Sequence, residues 1–177
     1  MERLALRLDE SDSNYTIVYE RMEETQTAGA VFGLVGAVAS SAHSAAEDNT
    51  LADAYRTTAA DMKVGALVEQ SVANVIQARE PNLLASAPAE AGHTLLIQVK
   101  NWGLTRVAFD DTLVRAFVNL RVQLLDAKGK PIWDVREHGL GKTQAQLKAF
   151  TQEMFVEEVQ KTAVKTGQKV GYQIVYR

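Results

Sequence analysis

The sequence contains no cysteine. That single absence removes disulfides, cysteine nucleophiles, iron–sulfur clusters and thiolate zinc sites. Histidine is scarce: His43 lies in an Ala/Ser run, His93 before a strand-like segment and His138 at the end of another. No two of them have the i, i+4 or H-x-E spacing that brings ring nitrogens to one metal. There is no G-x-S-x-G, and Ser40 and Ser41 sit in an Ala-rich stretch that reads as packing. The acidic pairs Glu23-Glu24, Asp110-Asp111 and Glu157-Glu158 are adjacent in sequence, so their side chains point apart and read as solvated charge. Basic residues do not cluster and the net charge is −3, which excludes the electrostatic footprint of a nucleic-acid binder. These absences predict a non-enzymatic protein without metal or cofactor.

What is present is ordinary for a folded domain: 46% apolar and 23% charged residues in 177, enough for one core without covalent staples. The reading is one domain over 1–177. Leu4, Leu6 and Leu8 alternate with Ala5 and Arg7, and Tyr15, Ile17 and Tyr19 alternate after the polar cluster Asp9 to Asn14. This pattern predicts an N-terminal β-hairpin. From about Thr50 to Arg79 the spacing turns helical, with Asn49 or Thr50 as N-cap and Pro81 closing the helix. Thr94 to Val99 and Thr112 to Asp126 are strand-like; in the second, Val114, Ala116, Val118, Leu120, Val122 and Leu124 form one apolar row opposite polar neighbours. Asp126 to Lys130 predicts a hairpin turn with Gly129 at positive φ, and Pro131 to His138 returns. A helix is predicted over about Thr143 to Thr166, with Gly167 just past its end. Alternation at Val170, Tyr172, Ile174 and Tyr176 predicts a final strand. The expected fold is α+β: a mixed or antiparallel sheet with two main helices on one face, plus a Gly/Ala-rich helical segment.

That segment, 25–46, is the unusual part of the chain. No Asp, Glu, Lys or Arg occurs between Glu24 and Glu47. Gly29, Gly33 and Gly36 follow G-x-x-x-G-x-x-G, which lacks both the dinucleotide spacing and the Lys-Ser/Thr of a phosphate loop. Gly29 and Gly33 would instead let another backbone approach a helix closely, with Phe32, Leu34, Val35 and Val38 supplying apolar contact. The segment is long enough to span a bilayer but only weakly hydrophobic. Gly29, Phe32, Gly33, Leu34, Val35 and Gly36 are therefore candidate contacts to a partner or membrane surface, with burial inside the domain as the alternative. Core packing is the default for Trp102, but in Asn-Trp-Gly at an expected strand end it joins them as a candidate contact, where an exposed aromatic would suit binding.

Thr94-Leu95-Leu96-Ile97-Gln98-Val99-Lys100-Asn101-Trp102-Gly103-Leu104, then Arg115 to Asp126, Gly129-Lys130 and Ile132-Trp133-Asp134, resemble a pattern in uncharacterised bacterial envelope lipoproteins. These are similar in outline to the N-terminal domain of the Tol–Pal translocation protein and to lipoprotein activators of penicillin-binding proteins. The resemblance implies an extracytoplasmic domain, periplasmic or anchored to the outer membrane, that binds other proteins; it supplies no active-site residue. The chain begins Met1-Glu2-Arg3 with no leader and no lipid-bearing cysteine, so this reading needs a leader that has been removed; a cytoplasmic protein is the alternative. The function expected is an assembly or interaction module whose partner is an envelope protein, a second copy of itself or a membrane surface. A small-ligand binding domain and an enzyme of unfamiliar type are the rivals.

Overall fold

A computed structural model describes residues 3–19 and 54–177. The expected α+β class holds: a mixed sheet with helices packed on one face. In chain order the strands are β1 (Leu4–Asp9), β2 (Asn14–Tyr19), β3 (His93–Val107), β4 (Asp110–Leu125), β5 (Pro131–Leu140) and the two-residue β6 (Ala145–Gln146). The helices are a segment at 54–60, then α1 (Val64–Arg79) and α2 (Gln152–Val175). The uncharged segment 25–46 and the N-cap expected at Asn49 or Thr50 lie outside the described residues.

β3 and β4 form the spine, antiparallel along nearly their full lengths, and β5 extends the sheet antiparallel to β4. Leu95, Ile97, Val99, Trp102 and Leu104 of β3 face the same side as the Val114-to-Leu124 row of β4. All are buried against the helices, as the alternation predicts. The β4–β5 hairpin also forms as expected, with Gly129 at φ 78° and the Gly129 N–H donating to the Asp126 carbonyl at 2.9 Å.

The N-terminal hairpin is not there. β1 and β2 both run parallel to β3, end to end along the same edge: β1 pairs with His93 to Gln98 and β2 with Asn101 to Thr105. The polar cluster makes a jog rather than a reversal. Asp9 accepts hydrogen bonds from the Ser11 N–H (3.0 Å) and hydroxyl (2.6 Å), and the Ser13 N–H donates to the Glu10 carbonyl at 3.0 Å. Period-two alternation reports which face is buried and is blind to strand direction. The long helix predicted from Thr50 is likewise interrupted at Asp61 to Lys63. α1 restarts there without a side-chain cap from Lys63; the Glu10 carboxylate, in the β1–β2 jog, accepts from the Gly65 N–H at 3.1 Å instead. A carboxylate at a helix N-terminus satisfies an orphan donor and the positive end of the helix dipole.

The last third differs most. α2 starts at Gln152, capped by the Thr151 hydroxyl, which accepts from the Met154 N–H at 3.1 Å. Residues 145–146 add the short β6 to the start of β4 rather than a helical turn. The helix then continues through Gly167 to Val175, so the expected final strand is helical. Gly167 is not a terminator but a contact: a Cβ there would lie 2.6 Å from the Val68 carbonyl oxygen of α1, and one on Gly171 would lie 2.7 Å from Val75 Cβ. Val170 and Ile174 continue the buried stripe at a spacing of four, while Tyr172 and Tyr176 lie on the exposed side.

Gly103 carries the most stringent local demand. Its φ is 139°, and a Cβ would meet the Thr16 carbonyl oxygen at 1.9 Å, directly in the β2–β3 pairing. Gly103→Ala should therefore cost about 3 kcal/mol or more, read as a lower urea midpoint. A midpoint equal to that of the parent chain would contradict this account of the edge.

Candidate functional site

The interior is committed to packing. Trp102 lies in the middle of β3, not at a strand end, and is buried. Its ring sits 5.2 Å from that of Tyr15, which meets Phe155 of α2 edge-on at 5.9 Å; Phe155 in turn lies 5.0 Å from Tyr55. The cluster joins β2, β3, α2 and the 54–60 segment, so within this domain Trp102 is a packing residue. The Tyr55 hydroxyl donates to the Phe150 carbonyl. The Tyr15 hydroxyl is buried without a hydrogen-bond partner among the described residues, and burial pushes its pKa well above the ordinary phenol value. Gly29, Phe32, Gly33, Leu34, Val35 and Gly36 lie outside the described residues. So does His43, whereas His93 opens β3 and His138 sits on β5.

The face of the sheet opposite the helices carries rows of polar side chains running across the strands. Asn119 donates to Asn101 Oδ1 at 2.7 Å and bonds through its own Oδ1 to the His138 ring, linking β3, β4 and β5. Gln98 donates to Asp9 at 2.9 Å, linking β3 to β1. Arg121 grips Asp134 through two nitrogens, with the Nη2 contact at 2.6 Å, and Gln123 adds a bond of 2.9 Å to the same carboxylate. Bidentate pairing with Arg121 holds the Asp134 carboxyl below its ordinary value. Such cross-strand pairs fix register. Phe117 interrupts the polar surface: it lies on this face, outside the main core cluster, yet is fully buried.

A cleft of about 550 Å³ opens where the 54–63 region meets the N-terminal halves of α1 and α2. Met62, Leu67 and Val156 form its apolar part, and Asp61 and Lys63 its charged rim. Its volume suits a small ligand, and Thr57, Thr58 and Gln160 complete its lining. Among the described residues no group of three or more His, Asp and Glu side chains could hold a metal ion.

Two surface features escaped the sequence reading. Phe109, at the tip between β3 and β4, is completely exposed, with φ at 71°. The turn is pinned by Asp110, which accepts from the Thr112 N–H (3.0 Å) and hydroxyl (2.6 Å). At the other end of β4, exposed Tyr172 and Tyr176 stack with ring centroids 6.2 Å apart. Asp110-Asp111, read from the sequence as solvated charge, holds the turn beside Phe109 through Asp110, and one residue has no periodicity to betray it; the two tyrosines are four apart and meet only once the segment is read as a helix.

No family model matches the chain, and no curated protein matches it significantly. Among solved structures it is similar to a DUF330-family protein from Xanthomonas campestris, with TM-score 0.48 and 10% identity over 63% of this chain and 61% of that one. It is also similar to a minor lipoprotein from Acinetobacter baumannii, with TM-score 0.47 and 12% identity over 62% and 84% of the two chains. A third is a candidate lipoprotein from Caulobacter crescentus, with TM-score 0.43 and 16% identity over 66% and 80%. These likenesses are partial, and no function is carried over from them.

Asp9 offers a local check on the jog. Hydrogen bonds from the Ser11 hydroxyl, then from the Gln98 amide and the Ser11 N–H, lower its pKa from 3.8 to about 2, outweighing the slight desolvation that raises it. Because the folded value is depressed, the stabilisation is present above the unfolded value and disappears as pH falls through about 2. A carboxyl NMR titration should place the Asp9 midpoint near 2, with Ser11→Ala moving it upward. A midpoint at the ordinary carboxylate value in the parent chain would contradict the jog geometry.

Proposed function

We propose that this chain is a non-enzymatic domain of the bacterial cell envelope, carried by a lipoprotein, that works by binding another envelope protein. The observation that carries the binding role is Phe109. A bulky side chain at positive φ costs about 1–2 kcal/mol of backbone strain, and here nothing is recovered by burial, since the ring stands free in solvent. Strain kept without a packing return is the pattern of a contact residue, and aromatic rings are enriched at protein interfaces. The flanking Asp110 pins the turn and adds negative charge, so the partner surface expected is an apolar pocket with a basic rim. The envelope placement rests on the resemblance of the Trp102-Gly103 strand and the Asp126-to-Lys130 hairpin to envelope lipoproteins.

The test is a photo-crosslinking phenylalanine analogue in place of Phe109, with the same analogue in place of exposed Gln77 as reference, in the natively expressed chain. The proposal expects a discrete adduct in the envelope fraction from position 109 alone. It also expects Phe109→Gly to keep or raise stability, by up to about 1 kcal/mol as the strain is relieved. Failure of position 109 to give an adduct, identical adducts from both positions, or recovery of the chain in the cytosol would each overturn it.

A further inference from the structure

At the end of the molecule remote from Phe109, α2, α1 and the β4–β5 hairpin bring exposed rings and cations together. Tyr172 and Tyr176 are stacked nearly parallel, 8° apart, with 41% and 71% of their surfaces in solvent. The Arg79 guanidinium from the last turn of α1 lies 5.8 Å from the Tyr172 ring centre, and that of Arg177 lies 5.2 Å from the ring centre of half-buried Trp133. Trp133 follows the hairpin closely, so exposed Lys128 and Lys130 border the same surface. Asp126, the acid in that hairpin, is occupied: its carboxylate accepts from the Lys128 and Lys130 N–H groups, each at 2.9 Å. Glu80 is exposed beside Arg79, which leaves the surface with an excess of cations in a chain whose net charge is −3.

We infer that this end is a docking surface for an anionic phospholipid membrane. Two features favour a bilayer over an acidic peptide. The rings are tyrosine and tryptophan, whose apolar bodies and polar tips suit the headgroup layer, interspersed with arginine and lysine. The surface is also built from two projecting elements, a helix end and a hairpin tip, whereas the concave cleft of about 550 Å³ lies at the opposite end of α2. The contact is peripheral: no described helix is long and apolar enough to cross a membrane. It uses none of the residues assigned to the protein contact.

Sedimentation of the purified chain with vesicles tests it. Vesicles of phosphatidylcholine and phosphatidylglycerol in equal parts should bind at least about tenfold more tightly than pure phosphatidylcholine, and salt should weaken the difference. Lys128→Glu with Lys130→Glu should cut binding by about tenfold or more, since each cation near such a surface contributes about fivefold. Tyr172→Ser with Tyr176→Ser should also lower it; these side chains are exposed, so circular dichroism should show the fold intact. Lys63→Glu with Lys142→Glu, equal in charge change but away from this end, should leave binding unchanged, as should Phe109→Ser. Equal binding to both vesicle types, no binding, or an equal loss in the Lys63/Lys142 variant would overturn the inference. So would retention on immobilised polyglutamate without vesicle binding, which would make the surface a peptide site.

Discussion

The fold depends on how closely α2 can approach its neighbours. Its buried stripe is short of bulk where contact is tightest: Gly167 and Gly171 meet the backbone and valines of α1, and the sheet answers with Gly139 and Gly141 beneath Thr166 and Thr162. A Cβ on Gly139 would fall 1.8 Å from the Thr166 hydroxyl oxygen, and one on Gly141 would lie 3.2 Å from both Ala116 Cβ and the Thr162 hydroxyl. Thr162 and Thr166 turn their hydroxyls back onto the carbonyls of Glu158 and Thr162, each at 2.7 Å, so no donor is left unpaired in the seam. Close approach of this kind gains dispersion contact along the whole helix and leaves little tolerance for added volume.

With α2 seated, the remaining contacts fall into place around it. Glu137 of β5 is buried beside it, paired with Lys169 at 2.6 Å and accepting from Gln173 at 2.5 Å. Phe155 holds Tyr15 and Tyr55, tying the β2 edge and the 54–60 segment to the same helix. Among the described residues the interior is thus spent on packing, with the Tyr15 hydroxyl left unpaired within it, and two features that packing does not explain lie on the surface at opposite ends of β4. One is a lone strained phenylalanine, the other an aromatic and basic helix end. A domain with a protein contact at one end and a membrane contact at the other would hold a partner at a fixed distance from the bilayer, set by the length of a strand of 16 residues.

Legibility in the sequence followed the physics of each signal. The β3–β4 core was readable because strict alternation over a long run has one interpretation, and the β4–β5 turn because Gly129 sits where positive φ is needed. The N-terminal strands were seen, but not their parallel pairing, since alternation is the same for either strand direction and the partner lies some ninety residues away. The strand expected at 170–176 failed because Val170, Tyr172, Ile174 and Tyr176 satisfy two periods at once; the Gly167 and Gly171 contacts with α1, which decide for the helix, are tertiary. Trp102 is buried, as core packing has it, and only the strand end expected beside it is absent: β3 continues past Gly103, where glycine permits the close pairing with Thr16 instead of ending the strand.

The seating of α2 on the sheet is tested most directly by a double-mutant cycle on Gly139→Ala and Thr166→Ala, measured by urea unfolding. The account predicts that Gly139→Ala alone is severely destabilising, because the new methyl collides with the Thr166 hydroxyl. Removing that hydroxyl should restore a large part of the loss, a coupling of about 1–3 kcal/mol between the two sites. Additive effects, or a Gly139→Ala variant as stable as the parent chain, would show that α2 does not sit on β5 as described.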